Sequence, residues 1–179
     1  AHVMTNDDWA EYVDTSDEWI TSRTGIKTRR IAGPDETTVS LALKAAQSAL
    51  ADAGLEATDI DEIIVANGAK QVIFNAMMAT LEHGNEVLMC APYFGQYKDI
   101  VLILGGEAVA LKCPAKNGFR LTPAQLEAAI TPKTRWIMLN LPSNPAGAVY
   151  SDDDLRALGA VLEKYPNVLI LSDEIYEHI

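Results

Sequence analysis

Two hydrophobic rhythms take turns along this chain. In the first, Val39, Leu41, Ala42, Leu43, Ala45, Ala46, Ala49 and Leu50 recur at helical spacing. They predict one long helix from Thr38 to Gly54 with a broad apolar face, closed by its glycine. In the second, short apolar runs predict strands at Glu62 to Ala66, Glu86 to Cys90, Ala108 to Leu111, Trp136 to Leu139 and Val168 to Leu171. Helical segments fall between these strands, at Gly68 to Leu81 and Tyr97 to Leu104. Another is opened by Thr122, Pro123 and Gln125, which supply cap, first-turn proline and box partner together. Ser151 starts the last, with Asp152, Asp153 and Asp154 at its positive pole, and Pro166 stops it. Ahead of all this, Thr5 with Asp8 opens a helix over Thr5 to Val13, Thr15 with Glu18 opens a second before Trp19, and Gly25 ends it.

Runs as continuous as Val168-Leu169-Ile170-Leu171 predict burial on both faces, the mark of parallel strands joined by helical crossovers. The expected fold class is α/β, a three-layer sandwich with a mainly parallel sheet of about five strands, preceded by a helical amino-terminal segment. Val101 to Leu104 reads as a buried helical stretch, and no apolar run reaches membrane-spanning length. At 179 residues and 49% hydrophobic content the chain suits one compact domain, residues 1–179, around a shared core. The net charge of −11, with lysines and arginines scattered apart from the Lys27 to Arg30 cluster, argues against a nucleic-acid groove. Cys90 and Cys113 fall near the ends of consecutive strands and read as reduced, buried thiols. His2, His83 and His178 lack metal-ligand spacing, and no metal site is expected.

Four motifs in the second part carry chemistry. They are Asn67-Gly68-Ala69-Lys70-Gln71, Ala91-Pro92-Tyr93-Phe94, Asn140-Leu141-Pro142-Ser143-Asn144-Pro145-Ala146-Gly147, and Ser172-Asp173-Glu174-Ile175-Tyr176. In this order, residues 67–179 resemble part of the large domain of a fold-type I aminotransferase that uses pyridoxal phosphate, aspartate aminotransferases above all. The resemblance implies a cofactor site. Gly68, Ala69 and Lys70 would cradle the phosphate at a helix start, Phe94 would stack on the ring, Asn144 and Tyr176 would hold its phenolic oxygen, and Asp173 would pair with the protonated ring nitrogen. Each has a plainer reading beside it: Lys70 as a solvated charge, Phe94 as core, Asn144 in ordinary asparagine-proline turn chemistry. The resemblance also implies that the last four strands order as 3-2-4-5. Strand Glu62 to Ala66 is then expected to lie beside Val168 to Leu171, the alternative being a second copy of the chain covering that exposed edge.

Residues 5–66 carry a different signature. Val13-Asp14-Thr15-Ser16-Asp17-Glu18-Trp19-Ile20, Arg23-Thr24-Gly25-Ile26 and Arg29-Arg30-Ile31-Ala32 resemble the amino-terminal segment of a beta-ketoacyl-acyl carrier protein synthase III. In that family Thr15, Trp19 and Arg23 would match positions contacting coenzyme A; alternatively Trp19 packs into the core. The two resemblances together read as an engineered or recombination-derived chimera joined near Val65 to Gly68, with Ala1-His2-Val3-Met4 as a cloning remnant. The lysine that carries the cofactor in aminotransferases has no match in these residues, and neither do the condensing residues of the synthase. The expectation is therefore a non-catalytic, cytoplasmic protein with no catalytic residues, no required cofactor and at most weak pyridoxal phosphate binding, without nucleic-acid or membrane partners. The alternative is an aminotransferase fragment that becomes active once a lysine-bearing segment is supplied.

Overall fold

A computed structural model describes residues 2–176. The chain divides into two compact units, Ala1–Val65 and Ala66–Ile179, where the composition predicts one.

In the first unit, β1 (His2–Thr5) pairs antiparallel with β2 (Thr28–Ile31), and α1 (Asn6–Ala10), α2 (Asp17–Thr24) and α3 (Thr38–Ala53) make up the helices. Thr5 and Asp8 form the expected capping box, the Thr5 N–H donating to Asp8 at 2.7 Å. The helix stops at Ala10, not Val13, and Tyr12 and Val13 beyond it stand 70% and 44% exposed. The α2 cap is Ser16 instead of Thr15, its hydroxyl accepting from Trp19 N–H at 3.1 Å. Gly25 and Gly54 close α2 and α3 in the left-handed conformation that only glycine adopts cheaply.

The polar centre of this unit is Asn6. Its amide donates to Asp17 and to the Ile26 carbonyl, both at 2.7 Å, and its oxygen accepts from Arg29 at 2.7 Å. One buried side chain thereby ties β2 to the start of α2, with its polar atoms satisfied. By contrast, α3 forms at its predicted place but buries none of its residues; Val39 is 77% exposed. The predicted strand Glu62 to Ala66 does not form, and Ile63 and Val65 are more than half exposed. Four apolar residues after Glu62 have no strand stability without a ladder and a covered face, so the proposed closure of the sheet by this segment is absent.

The second unit alternates α4 (Ala69–Thr80), β3 (Glu86–Ala91), α5 (Gly95–Ile103), β4 (Glu107–Lys112), α6 (Pro123–Ala129), β5 (Thr134–Asn140), α7 (Asp152–Leu162) and β6 (Leu169–Asp173). Its four strands are all parallel in the order β4-β3-β5-β6, the predicted 3-2-4-5 arrangement, one strand fewer than the five expected. Successive residues of a strand face opposite sides. Hence Leu88, Ile137 and Leu139 pack with Leu126 of α6 and Leu158, Val161 and Leu162 of α7. Val87, Met89, Trp136 and Met138 pack with Ile73 and Met77 of α4 and Tyr97 and Val101 of α5. Two apolar layers on one sheet explain why β3 reads as a continuous hydrophobic run, and each fully buried side chain there contributes about 1.5–3 kcal/mol.

Edges and ends depart from this pattern. Among the described residues β6 pairs with β5 alone, and Ile170 is 52% exposed where the run predicted burial on both faces. In α5 only Val101 of the stretch Val101 to Leu104 is fully buried, while Ile103 is 74% exposed. Cys90 and Cys113 are free thiols, Cys113 buried and Cys90 half-buried. Among the described residues no helix is long and apolar enough to cross a membrane.

Candidate functional site

The strand order itself locates a crevice. From β3 the chain crosses to β4 on one side, then to β5 and β6 on the other, so the direction of winding reverses between β3 and β5. In open parallel sheets, ligands sit outside the carboxyl ends of the strands at such a reversal. A cavity of about 240 Å³ opens there, lined by Ala69, Lys70 and Ile73 of α4, Phe94 and Tyr97 after β3, Asn140 at the end of β5 and Asn144 after it, and Asp173, Ile175 and Tyr176 at and after the end of β6.

At one wall stands the start of α4. Gly68 holds φ at +95°, a conformation that suits glycine, and its carbonyl accepts from Gln71 at 3.1 Å. Helix geometry leaves the first N–H groups without intrahelical partners, and Gly68 has no side chain with which to cap them. Those N–H groups and the positive end of the helix make an anion-accepting corner. Lys70 is exposed, and its ammonium lies 5.4 Å from the centre of the Phe94 ring.

Across the cavity the polar groups interlock. Asn140 donates to the Asp173 carbonyl at 2.9 Å and accepts from the Asn144 N–H at 2.7 Å, which pins the loop after β5 to the end of β6. Asn144 donates to the Tyr176 hydroxyl at 3.0 Å, leaving that hydroxyl's own proton for another acceptor. Tyr97 donates its hydroxyl proton to Asp173 Oδ2, and the Ile175 N–H donates to Oδ1 at 3.3 Å. Each oxygen of an ionised carboxylate accepts more than once, so Asp173 keeps room for a ligand's donor. Burial, and next the Asp173 carboxylate, push the Tyr97 phenol above its ordinary range, so it stays a protonated donor through neutral pH. Phe94 meets Tyr97 edge-on, with ring centres 5.7 Å apart and planes at 77°.

Six of the seven residues assigned to the cofactor from sequence line this one cavity: Ala69, Lys70, Phe94, Asn144, Asp173 and Tyr176. The seventh, Gly68, caps the helix beside it. Four lining residues were not foreseen as site residues: Ile73, Tyr97, Asn140 and Ile175. Ile73 follows Ala69 by one helical turn, and Tyr97 follows Phe94 by three residues at the start of α5, so helical spacing was the available signal for both.

Thr15, Trp19 and Arg23 lie in the first unit. Thr15 and Trp19 line a separate cavity there together with Trp9 and Arg29, whereas Arg23 lies outside that lining and stacks its guanidinium 4.7 Å from the Trp19 ring. Trp19 is 54% exposed, contrary to its reading as core. Among the described residues no group of three or more His, Cys, Asp or Glu could hold a metal ion.

Comparison with known proteins places this geometry. Residues 15–179 match the profile described as aminotransferase class I and II. An aspartate aminotransferase from Rhizobium meliloti is 56% identical over 123 residues, covering 69% of this chain and 30% of the relative. The crystal structure of the aspartate aminotransferase from that organism superposes with a TM-score of 0.63 at 56% identity, over 64% of this chain and 28% of the other. An aromatic aminotransferase from Pyrococcus horikoshii superposes with a TM-score of 0.72 at 33% identity, over 83% of this chain and 39% of the other. The chain thus spans about 30% of the length of the curated relatives it matches.

Proposed function

Because the chain belongs to the class I and II aminotransferase family, we propose that its second unit is the ring- and phosphate-holding part of a pyridoxal phosphate pocket, in an enzyme that exchanges amino groups between aspartate-like amino acids and 2-oxo acids. One observation carries this reading. A single cavity at the winding reversal collects an anion-accepting helix start, an aromatic face, a hydroxyl with a proton to give and a carboxylate with acceptor room.

The donor set fits the cofactor group by group. The α4 start suits a phosphate, the face of Phe94 suits the pyridine ring, Tyr176 and Asn144 suit a phenolic oxygen, and Asp173 suits a protonated ring nitrogen. When bound, pyridoxal phosphate supplies an electron sink for negative charge developing at the substrate's α-carbon. The residues of this chain bind and orient it: Asp173 keeps the ring proton in place, and Asn144 holds Tyr176 so that its proton faces the ligand. The expectation that no cofactor is required lacks support, since the family and the donor set both point to one.

The alternative drawn from sequence is better supported than the non-catalytic reading. Of the described lysines only Lys70 lines the cavity, at its phosphate corner, so the reactive amine would come from a further segment, with this chain as a complementable part of the enzyme. We also assign residues 5–66 a separate, synthase-like origin. Its support is the motif set from Val13 to Ala32 and the division of the structure at Val65 and Ala66.

Titrating the purified chain with pyridoxal phosphate tests the reading. A saturable change in the cofactor's absorbance at one equivalent is the expected outcome, and a strictly linear, additive spectrum contradicts it.

A further inference from the structure

We propose that Cys90 and Cys113 form a two-thiol site for a soft, thiophilic centre, the trivalent arsenic of an organoarsenical being the ligand class that their spacing suits. The two residues come from neighbouring strands. Cys90 of β3 stands opposite Leu111 of β4, and Cys113 follows Leu111 by two residues, which returns it to the same face. The Cys113 N–H donates to the Ala91 carbonyl at 2.9 Å, so the register continues past the end of β4. Both side chains enter one apolar layer with Leu88, Leu121 and Leu126, and both are free thiols. Neither lines the cofactor cavity, so the outcome does not depend on the cofactor reading.

Spacing decides what can join them. Diagonal neighbours on a sheet have Cα atoms about 7–8 Å apart, and a disulfide does not close over more than about 7 Å without moving the backbone. One atom inserted between the sulfurs lengthens the link and removes that demand. The apolar layer also selects for softness, since a hard cation would have to give up its water shell there and thiol sulfur is a poor replacement. Hydrogen bonding with Cys113, and next burial, push the Cys90 thiol above its ordinary range, so the pair resists standing as two thiolates. A centre that takes both sulfurs and leaves the site neutral meets no such resistance. With an arsenical R–As=O, two S–As bonds form, the As=O bond breaks, both thiol protons leave with the oxygen as water, and arsenic stays trivalent. Cys113 is 3% exposed and Cys90 half-buried, so Cys90 is the sulfur met first.

The experiment loads the full chain with phenylarsine oxide, challenges it with excess glutathione, a monothiol, and reads bound arsenic by intact mass. The unsubstituted chain is expected to keep one equivalent, and the dithiol dithiothreitol to strip it. Cys90→Ser and Cys113→Ser each leave a single sulfur and should hold the arsenical roughly a hundredfold or more weaker, the scale of losing one of two linked contacts. In urea the chain keeps both thiols but loses the strand register, and retention should fall by at least about tenfold as the effective concentration of one sulfur at the other drops. That arm requires no variant to fold. Loss of arsenic to glutathione from the unsubstituted chain, retention by either single variant equal to that of the unsubstituted chain, or equal retention in urea would each overturn the proposal.

Discussion

Asp173→Ala is expected to weaken pyridoxal phosphate binding roughly 10- to 150-fold, the equivalent of about 1.5–3 kcal/mol for one hydrogen bond to a charged group. The carboxylate is half-buried at the end of β6 and faces the cavity, where a protonated ring nitrogen would otherwise enter without a partner. Alanine also strips the acceptor from the buried Tyr97 hydroxyl, which costs about 1–3 kcal/mol of stability for an orphaned polar group. Asp173→Asn separates the two effects. It keeps an oxygen for Tyr97 but carries no charge, so it should hold its melting temperature closer to that of the unsubstituted chain while still losing most of the affinity. Absorbance titrations beside thermal melts check this, and affinity within threefold of the unsubstituted chain for both variants would remove Asp173 from the site.

Mixing the chain with the remaining segments of an aspartate aminotransferase should create transamination that neither part shows alone. The expected gain is at least about a hundredfold over the sum of the separate parts, the lower end of what one positioned acid–base group contributes. The physical basis is the cavity's wall. It presents groups for the ring and the phosphate from four places, but the one lysine among its described residues, Lys70, lies against the Phe94 face and at the phosphate corner instead of among the groups that would receive the ring's polar edge. An amine from elsewhere must complete the set. Transfer of amino groups from aspartate to 2-oxoglutarate, followed by appearance of glutamate, reads the gain, and introducing Asp173→Ala into the mixture should cancel it. Turnover that is additive across the parts would return the chain to the non-catalytic reading.

The second unit was legible in the sequence because its determinants are local or strictly periodic. Continuous runs such as Val87-Leu88-Met89 can only be covered on both faces, the box at Thr122 with Gln125 appears as read, and the helix expected from Ser151 starts there, with Asp154 completing a box that was not foreseen. Failures cluster where a neighbour decides. Glu62 to Ala66 has strand composition, yet a strand exists only through its partner, and the structure gives this one none. The pairing of β1 with β2 was invisible for the converse reason, since the exposed, charged Thr28–Ile31 segment forms a ladder that no hydrophobic alternation announces. The helix α3 kept its length and its glycine cap but not the burial that its apolar face predicts.

Within the site, the residues proposed to meet a ligand lie in recognisable motifs, whereas those that act through another residue do not. Asp173 and Asn144 sit in recognisable loops. Tyr97 looks like any core aromatic until its hydroxyl is seen to end on a carboxylate brought from the other end of the unit. Asn140 was quoted only as the opening of a loop, yet it joins that loop to β6 through two hydrogen bonds. Such roles depend on tertiary contacts between distant positions, which neither spacing nor composition encodes.

A crystal structure of the chain grown with pyridoxal phosphate is the decisive measurement. The cofactor is expected in the cavity between α4 and the ends of β3, β5 and β6, with its phosphate on the N–H groups at Gly68 to Lys70, its ring on Phe94 and its ring nitrogen hydrogen-bonded to Asp173. Density for the cofactor at any other place, or an empty cavity at saturating concentration, would contradict it.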